Sequence, residues 1–481
     1  MGLGPQSSQA FTEHGEPRRR AWWPLVAMGG AAGAAGLVRD VPAAGAIVLL
    51  PACAALLFFL LSNPTAWIPL FIALSLLLPP LPLRIGADEI PVHPASLVFA
   101  AACLVGWVRI REWRIDRNSL SFTSLALLAA LAASLPWAFF YSGAVVGAQS
   151  VLRWLLLFQG FVVLAWLAWG PVPEGWDDRW LLRTMVAAAL LSSAFAIADF
   201  FYQFPATVRF SQQYIYLGDA PHRRAQGVFY DASALGDFCA MMLALILSLG
   251  GKARRALRLP GWLLWLSAPP LAIALVLSFS RGPVVNLAVA LVALICLRRK
   301  PGLSVRGVMG GLALAAAVAL CLWLAAPETA ARYVLRLEFS LSQFFSYPNE
   351  VLSRRLDAWG FLLRFLSEKP SILLLGMGYK SLPYSAYFHT PVVADNMYLS
   401  LLVETGVPGL LALFLFCGAL LACGYGLSRH SDAGIAGLGS FLFAFWCGQM
   451  VQMLSGDILT YWRVTPVYFA ILGVALRRSR G

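Results

Sequence analysis

Residues 396–426 read NMYLSLLVETGVPGLLALFLFCGALLACGYG, and the only formal charge in the stretch is Glu404. As one helix it would extend on the order of 45 Å, against a bilayer hydrocarbon core of about 30 Å. Part of it must therefore stand outside the core or bend. Gly406-Val407-Pro408-Gly409 is the natural break, because proline removes a backbone donor and disfavours helix in the residue before it. The reading is a short outer helix over 396–405, with Asp395 at its start and Glu404 at its inner end, followed by a membrane span over 407–427.

Working outward, runs of the same kind recur along the whole chain. Of its 481 residues 60% are hydrophobic and 12% charged, about half the charged share of a soluble domain, and the mean hydropathy is +0.74. This excludes a soluble enzyme. Further spans are expected near 22–38, 42–61, 65–83, 93–108, 119–140, 150–170, 184–203, 232–250, 260–279, 282–297, 307–326, 434–454 and 460–476. The fold class is all-α, a polytopic integral membrane protein of about twelve to fourteen transmembrane helices. No internal repeat suggests a transporter built from two similar halves. The eight cysteines all lie inside apolar runs without a CxxC, so they read as buried thiols, and neither a metal site nor a disulfide framework is expected. Arg18 to Arg20 imitate the start of a signal peptide, but the apolar run after them leads into further spans.

The formal charge of +13 is a question of which loops hold it. Alternate threading from a cytoplasmic N-terminus puts Arg109, Arg111, Arg114 and Arg117, then Lys252, Arg254, Arg255 and Arg258, then Arg298, Arg299 and Lys300, and last Arg477, Arg478 and Arg480 on the inner side. Both termini are then cytoplasmic, and nucleic acid need not be invoked as a partner. The organisation that follows is a cytoplasmic tail over 1–21, transmembrane helices over 22–326 with a short periplasmic loop at 204–231, a large helical periplasmic cap loop over 327–395, C-terminal transmembrane helices over 396–476, and a tail over 477–481. The cap is too long for a mere connection. Within it Asn349 is a candidate N-cap for an amphipathic helix in which Leu352, Leu356, Trp359, Leu362, Leu363 and Leu366 recur at helical spacing, lying on or near the membrane. Gly376-Met377-Gly378-Tyr379 marks a tight turn.

Arginines on the outer face run against the positive-inside tendency. Arg223 and Arg224 precede a span, and Arg281 occupies the turn Ser278-Phe279-Ser280-Arg281-Gly282-Pro283. A cation at a helix N-terminus opposes the macrodipole, so Arg281 needs an anion. Either it holds a lipid-linked diphosphate, which a planar guanidinium binds in bidentate fashion, or it snorkels to headgroups or pairs with Asp199, Asp237 or Glu404. Asp395 is either an N-cap or a general base at the membrane surface, and His389, six residues earlier, is the rival base. Glu404 reads as structural, bonding an arginine or a helix terminus. Arg354 and Arg355 are either a solvated helix face or acceptor-binding groups.

Several of these stretches resemble the O-antigen ligase and O-antigen polymerase superfamily of bacterial membrane glycosyltransferases. They are Arg224-Ala225-Gln226-Gly227-Val228-Phe229, Ser280-Arg281-Gly282, the cap from Arg355 to Gly378, and Asp395-Asn396-Met397-Tyr398-Leu399 running on to Glu404-Thr405-Gly406-Val407-Pro408-Gly409-Leu410. The resemblance covers roughly residues 220 to 425. It implies a cofactor-free, metal-independent, inverting transfer of glycan from undecaprenyl diphosphate to an acceptor hydroxyl at the periplasmic face of the bacterial inner membrane. It also implies Arg224, or its neighbour Arg223, and Arg281 as the diphosphate-holding arginines, Asp395 or His389 as the catalytic base, and Asn396, Arg355 and Glu404 as acceptor or support residues. The partners implied are the undecaprenyl-diphosphate-linked oligosaccharide, a glycan or lipid acceptor, and a chain-length regulator protein. Ligases of the family carry a catalytic His immediately before the Asn at 396. Asp395 stands there, which favours a surface-polysaccharide (O-antigen or exopolysaccharide) polymerase over a ligase acting on the lipid A–core of lipopolysaccharide. A flippase for lipid-linked oligosaccharide is the reading from another class, but the notable charges gather at one surface instead of along a central path.

Overall fold

The computed structural model describes residues 55–80, 84–85, 90–91, 93–173, 175–204, 213–217, 220–297, 320, 323–324, 327–343, 345–347, 349, 354–385, 387–388 and 391–480. The expected span 22–38, most of 42–61 and 307–326, the tail 1–21 and His389 lie outside these residues. The protein is an all-α polytopic membrane protein. Its helices are α1 (Trp67–Leu77), α2 (Pro94–Val108), α3 (Ser119–Trp169), α4 (Asp178–Tyr202), α5 (Ala232–Ser248), α6 (Gly251–Ala256), α7 (Gly261–Leu277) and α8 (Arg281–Leu297). After them come α9 (Pro327–Ser342), α10 (Arg355–Glu368), α11 (Ile372–Leu375), α12 (Met397–Ser428), α13 (Ala433–Gln452) and α14 (Thr465–Arg478). Expected spans from 65–83 to 282–297 and from 407–427 to 460–476 all fall on these helices.

Two of the helices are longer than any bilayer requires. Asn118 starts α3 with a capping box, its side chain accepting from Ser121 N while Ser121 Oγ accepts from Asn118 N. The helix then runs 51 residues and is broken once, at Gly143 (φ 83°, ψ 172°), so the expected spans 119–140 and 150–170 are joined through a kink instead of a loop. In α12 the break falls at Gly406 (φ 71°, ψ −171°), inside the Gly-Val-Pro-Gly stretch where the proline argument places it.

That break has a structural partner. Interrupting a helix leaves the carbonyls of its last turn without N–H donors. At Gly406 these are taken by the cap: Met377 N donates to Val403 O at 3.0 Å and Gly378 N to Glu404 O at 2.8 Å. The cap backbone must approach so closely that a Cβ on Gly376 (φ 72°) would lie 2.2 Å from Glu404 O. The turn expected at 376–379 is therefore the clamp that holds the cap on the bundle.

Buried side chains form two clusters. One is the bundle core, in which α5 is enclosed by α7, α8 and α13 and nearly all its residues are buried. The other belongs to the cap and includes Leu362, Phe365, Leu366, Ile372, Met377 and Phe388. Of the amphipathic helix expected after Asn349, residues 350–353 lie outside the described residues; Asn349 Nδ2 donates to Asp357 Oδ2 at 2.7 Å, and α10 follows the left-handed Arg354 (φ 59°). Its apolar stripe at Leu362, Phe365 and Leu366 packs on the cap's own core, whereas Leu363 is exposed. Two short antiparallel hairpins complete the structure: β1 (Arg84–Ile85) with β2 (Ile90–Pro91), and β3 (Tyr214–Leu217) with β4 (Ala220–Arg223), the latter pairing Tyr214 with Arg223.

Candidate functional site

At one end of the bundle the segment after β4, the turn before α8, the start of α10, the start of α12 and the 453–464 loop come together. Arg224 is anchored rather than loose. Its Nε donates to Ser278 O at 2.8 Å and its Nη2 to Ser233 Oγ at 3.3 Å, and Ser280 Oγ donates to the same Ser233 hydroxyl at 3.3 Å. Asp231 caps α5 by accepting from Ser233 N at 2.7 Å and Ala234 N at 3.1 Å, which fixes Ser233 beneath the arginine. Burial pulls Arg224 below the ordinary arginine range, and the nearby charges of Asp231 and Asp395 oppose this while Arg355 adds to it.

Arg281 is the first residue of α8, partly exposed, and close enough to Arg355 for the two cations to repel. Arg355 in turn pairs with Asp395 at 3.2 Å. The three carboxylates expected as alternative partners of Arg281 are otherwise engaged. Asp199 binds Arg223, Asp237 accepts from Gln449 and Asn286, and Glu404 faces Lys380. Arg224, Arg281, Arg355 and Asp395 thus form a linked set in which each charge acts on at least one other.

Neighbouring arginines have opposite fates. Successive side chains of an extended strand point to opposite faces, so at the end of β4 Arg223 turns into the bundle and Arg224 toward the site. Arg223 Nη2 lies 3.0 Å from Asp199 Oδ2, with both side chains under a tenth exposed. Asn396, not Asp395, is the N-cap of α12, its Oδ1 accepting from Leu399 N at 3.1 Å, which leaves the Asp395 carboxylate to Arg355. The partner of Glu404 is a lysine instead of an arginine: Lys380 Nζ lies 3.8 Å away, and Glu404 Oε1 accepts from Leu382 N at 3.3 Å. Lys380 also reaches Asp457, so this buried ammonium ties the cap to both α12 and the 453–464 loop. Burial pulls it below the usual lysine range and Glu404 opposes that.

Non-glycine residues in the left-handed region gather here. Asp395 (φ 44°) belongs to the set, Arg354 (φ 59°) adjoins Arg355, Tyr230 (φ 54°) adjoins the capping Asp231, and Phe279 (φ 50°) lies two residues before Arg281. Such backbone costs of order 1 kcal/mol or more per residue and persists where surrounding contacts impose it. Phe279 is braced by the ring of Tyr333 on α9, 5.7 Å away.

Ser233, Asp231 and Tyr461 escape sequence reasoning. Asp231-Ala232-Ser233 ahead of a span is a legible capping signal, but nothing local marks Tyr461. Its hydroxyl bonds with Ser233, and it feels Asp231 and Asp395. Residues 262–414 match the family model described as O-antigen ligase. The match takes in Arg281, Arg355, Asp395, Asn396 and Glu404, and leaves out Arg224 and Tyr461. None of the curated proteins compared matches the chain.

Proposed function

With residues 262–414 placing the chain in the O-antigen ligase and polymerase superfamily, we propose that it is a surface-polysaccharide polymerase. In this reading it works at the periplasmic face of the inner membrane and moves glycan from undecaprenyl diphosphate to the hydroxyl of an acceptor sugar. The observation that carries this is the linked set itself: guanidinium groups from three separate segments beside one carboxylate, at the end of the bundle where the cap sits.

The diphosphate rests against Arg224 and Arg281, with the Ser233 and Ser280 hydroxyls beside them. Negative charge grows on the bridging oxygen as the anomeric C–O bond breaks, so guanidinium groups already fixed in place stabilise the transition state more than the ground state. The acceptor oxygen forms its bond to the anomeric carbon from the opposite side, which inverts configuration. Its proton passes to Asp395, and the carrier diphosphate leaves. This requires no metal ion. Arg355 positions the Asp395 carboxylate.

The second reading, transfer of finished chains to lipid A–core or another acceptor, uses the same donor site and differs in what the cap recognises. Aspartate at position 395 favours polymerisation. Surface polysaccharide from a deletion strain separates the two: single-repeat products indicate a lost polymerase, full chains left on the carrier a lost ligase. Arg281→Ala is expected to abolish chain formation while the protein still accumulates in the membrane, and polymer of normal length in that variant overturns the diphosphate assignment. Asp395→Asn should lose most activity and Asp395→His keep part of it. Unaffected Asp395→Ala with a dead His389→Ala moves the base to His389. Chain elongation by purified protein in detergent distinguishes all of this from a flippase, which needs a membrane to act across.

A further inference from the structure

Sidedness alone accounts for arginines on the inner side, but it does not require them to meet. At the end of the bundle away from the candidate site, residues from three well-separated segments of the chain wall an open cavity of about 900 Å³. Arg109, Arg114, Glu112 and Asp116 come from the segment between α2 and α3, and Arg477 and Arg480 from the end of α14. Four arginines face two carboxylates. Both carboxylates are engaged: Glu112 with Arg109 at 3.1 Å, and Asp116 with Arg480 at 2.5 Å. Arg480 also donates to Ala168 O at the end of α3. Arg477 donates to Pro173 O at 3.2 Å and lies over the Trp176 ring, while the nearest acid, Asp178, is bonded by Arg478. Arg114 makes no ion pair among the described residues and is exposed. Two of the four cations, Arg114 and Arg477, therefore make no ion pair among the described residues, against a wall that includes Leu167, Trp169 and Val172.

We propose that this cavity binds the phosphate of an anionic phospholipid headgroup from the leaflet opposite the candidate site. The ligand chemistry follows from the walls. Guanidinium groups on two elements offer converging donors to phosphate oxygens. The cavity lies where α2, α3 and α14 all end, the level of the headgroups, and basic pockets between helix ends are the usual form of such sites. Its volume falls in the range of small-ligand pockets, about 300–1,000 Å³. A bound lipid would bridge the segment after α2 to α14, joining elements far apart in sequence.

The test uses the full chain, delipidated in detergent, with native mass spectrometry and thermal unfolding as readouts. Added diphosphatidylglycerol should remain bound and raise the unfolding temperature, and phosphatidylcholine should not. Arg114→Gln with Arg477→Gln should weaken diphosphatidylglycerol about tenfold or more, since each lost charge-assisted contact removes on the order of one tenfold factor. Arg111→Gln with Arg117→Gln removes the same charge from the same segment outside the cavity and should leave binding unchanged. Equal weakening in both pairs reduces the effect to general surface charge and overturns the site. Equal stabilisation by inorganic phosphate alone overturns the lipid assignment. Arg114→Gln by itself, which breaks no contact to the bundle, keeps the test valid if the double variant does not fold.

Discussion

Replacing Gly376 by alanine tests whether the clamp between cap and broken helix is the joint on which the site depends. The added methyl would stand 2.2 Å from Glu404 O and 2.3 Å from Thr405 N, both backbone atoms that cannot swing aside. Relief requires the turn to retreat by about 1 Å, enough to lose the bonds from Met377 N to Val403 O and from Gly378 N to Glu404 O. Leaving two buried carbonyls unsatisfied costs about 1–3 kcal/mol each, and a left-handed φ on a residue with Cβ adds about 1 kcal/mol. The expected total is about 3–7 kcal/mol against a cap of modest core. Gly360, in the middle of α10 with nothing within 4 Å of its Cβ position, is the control. There alanine should be neutral or stabilise by up to about 1 kcal/mol. The assay is denaturant unfolding followed through Trp359, whose indole donates to Ala394 O beside Asp395, together with polymer length in cells. Gly376→Ala with wild-type stability and full polymer would refute the clamp. Loss from Gly360→Ala equal to that from Gly376→Ala would mean that the cap tolerates no change, not that this joint is special.

Other outcomes follow from individual contacts. Arg223→Gln should lower stability by about 3–5 kcal/mol by stranding the buried Asp199 carboxylate, whereas Arg224→Gln should leave the protein folded and lose about 100-fold or more in transfer rate; a reversal of the two, read by thermal unfolding and by chain synthesis, would exchange their roles. Asp237 is fully buried and accepts from Asn286 and Gln449, so Asp237→Leu should destabilise by about 1–3 kcal/mol and Asp237→Asn by less; equal loss in thermal unfolding would show that charge, not hydrogen bonding, matters there.

The fold class, most of the span positions, the break in α12 and the turn at 376–379 were legible in the sequence, because each rests on local physics. Apolar run length against bilayer thickness decides a span, and glycine and proline decide where a helix can stop. The same reasoning did not anticipate that spans 119–140 and 150–170 share one kinked helix, since a single glycine can do what a loop does. Nor does anything local announce the left-handed backbone of Arg354 directly before α10.

Which of two adjacent arginines turns toward the site was decided by tertiary structure alone, through a strand that sends one side chain to Asp199 and the next to Ser278 and Ser233. So was the assignment of the helix cap to Asn396, which leaves Asp395 for Arg355, and so were the pairing of Lys380 with Glu404 and the meeting of arginines from residues 109–114 and 477–480 around one cavity. Hydropathy and backbone chemistry act between near neighbours along the chain, so composition and spacing contain them. Ion pairs and shared hydroxyls act through space between segments that packing alone brings together, and no pattern within one segment encodes them.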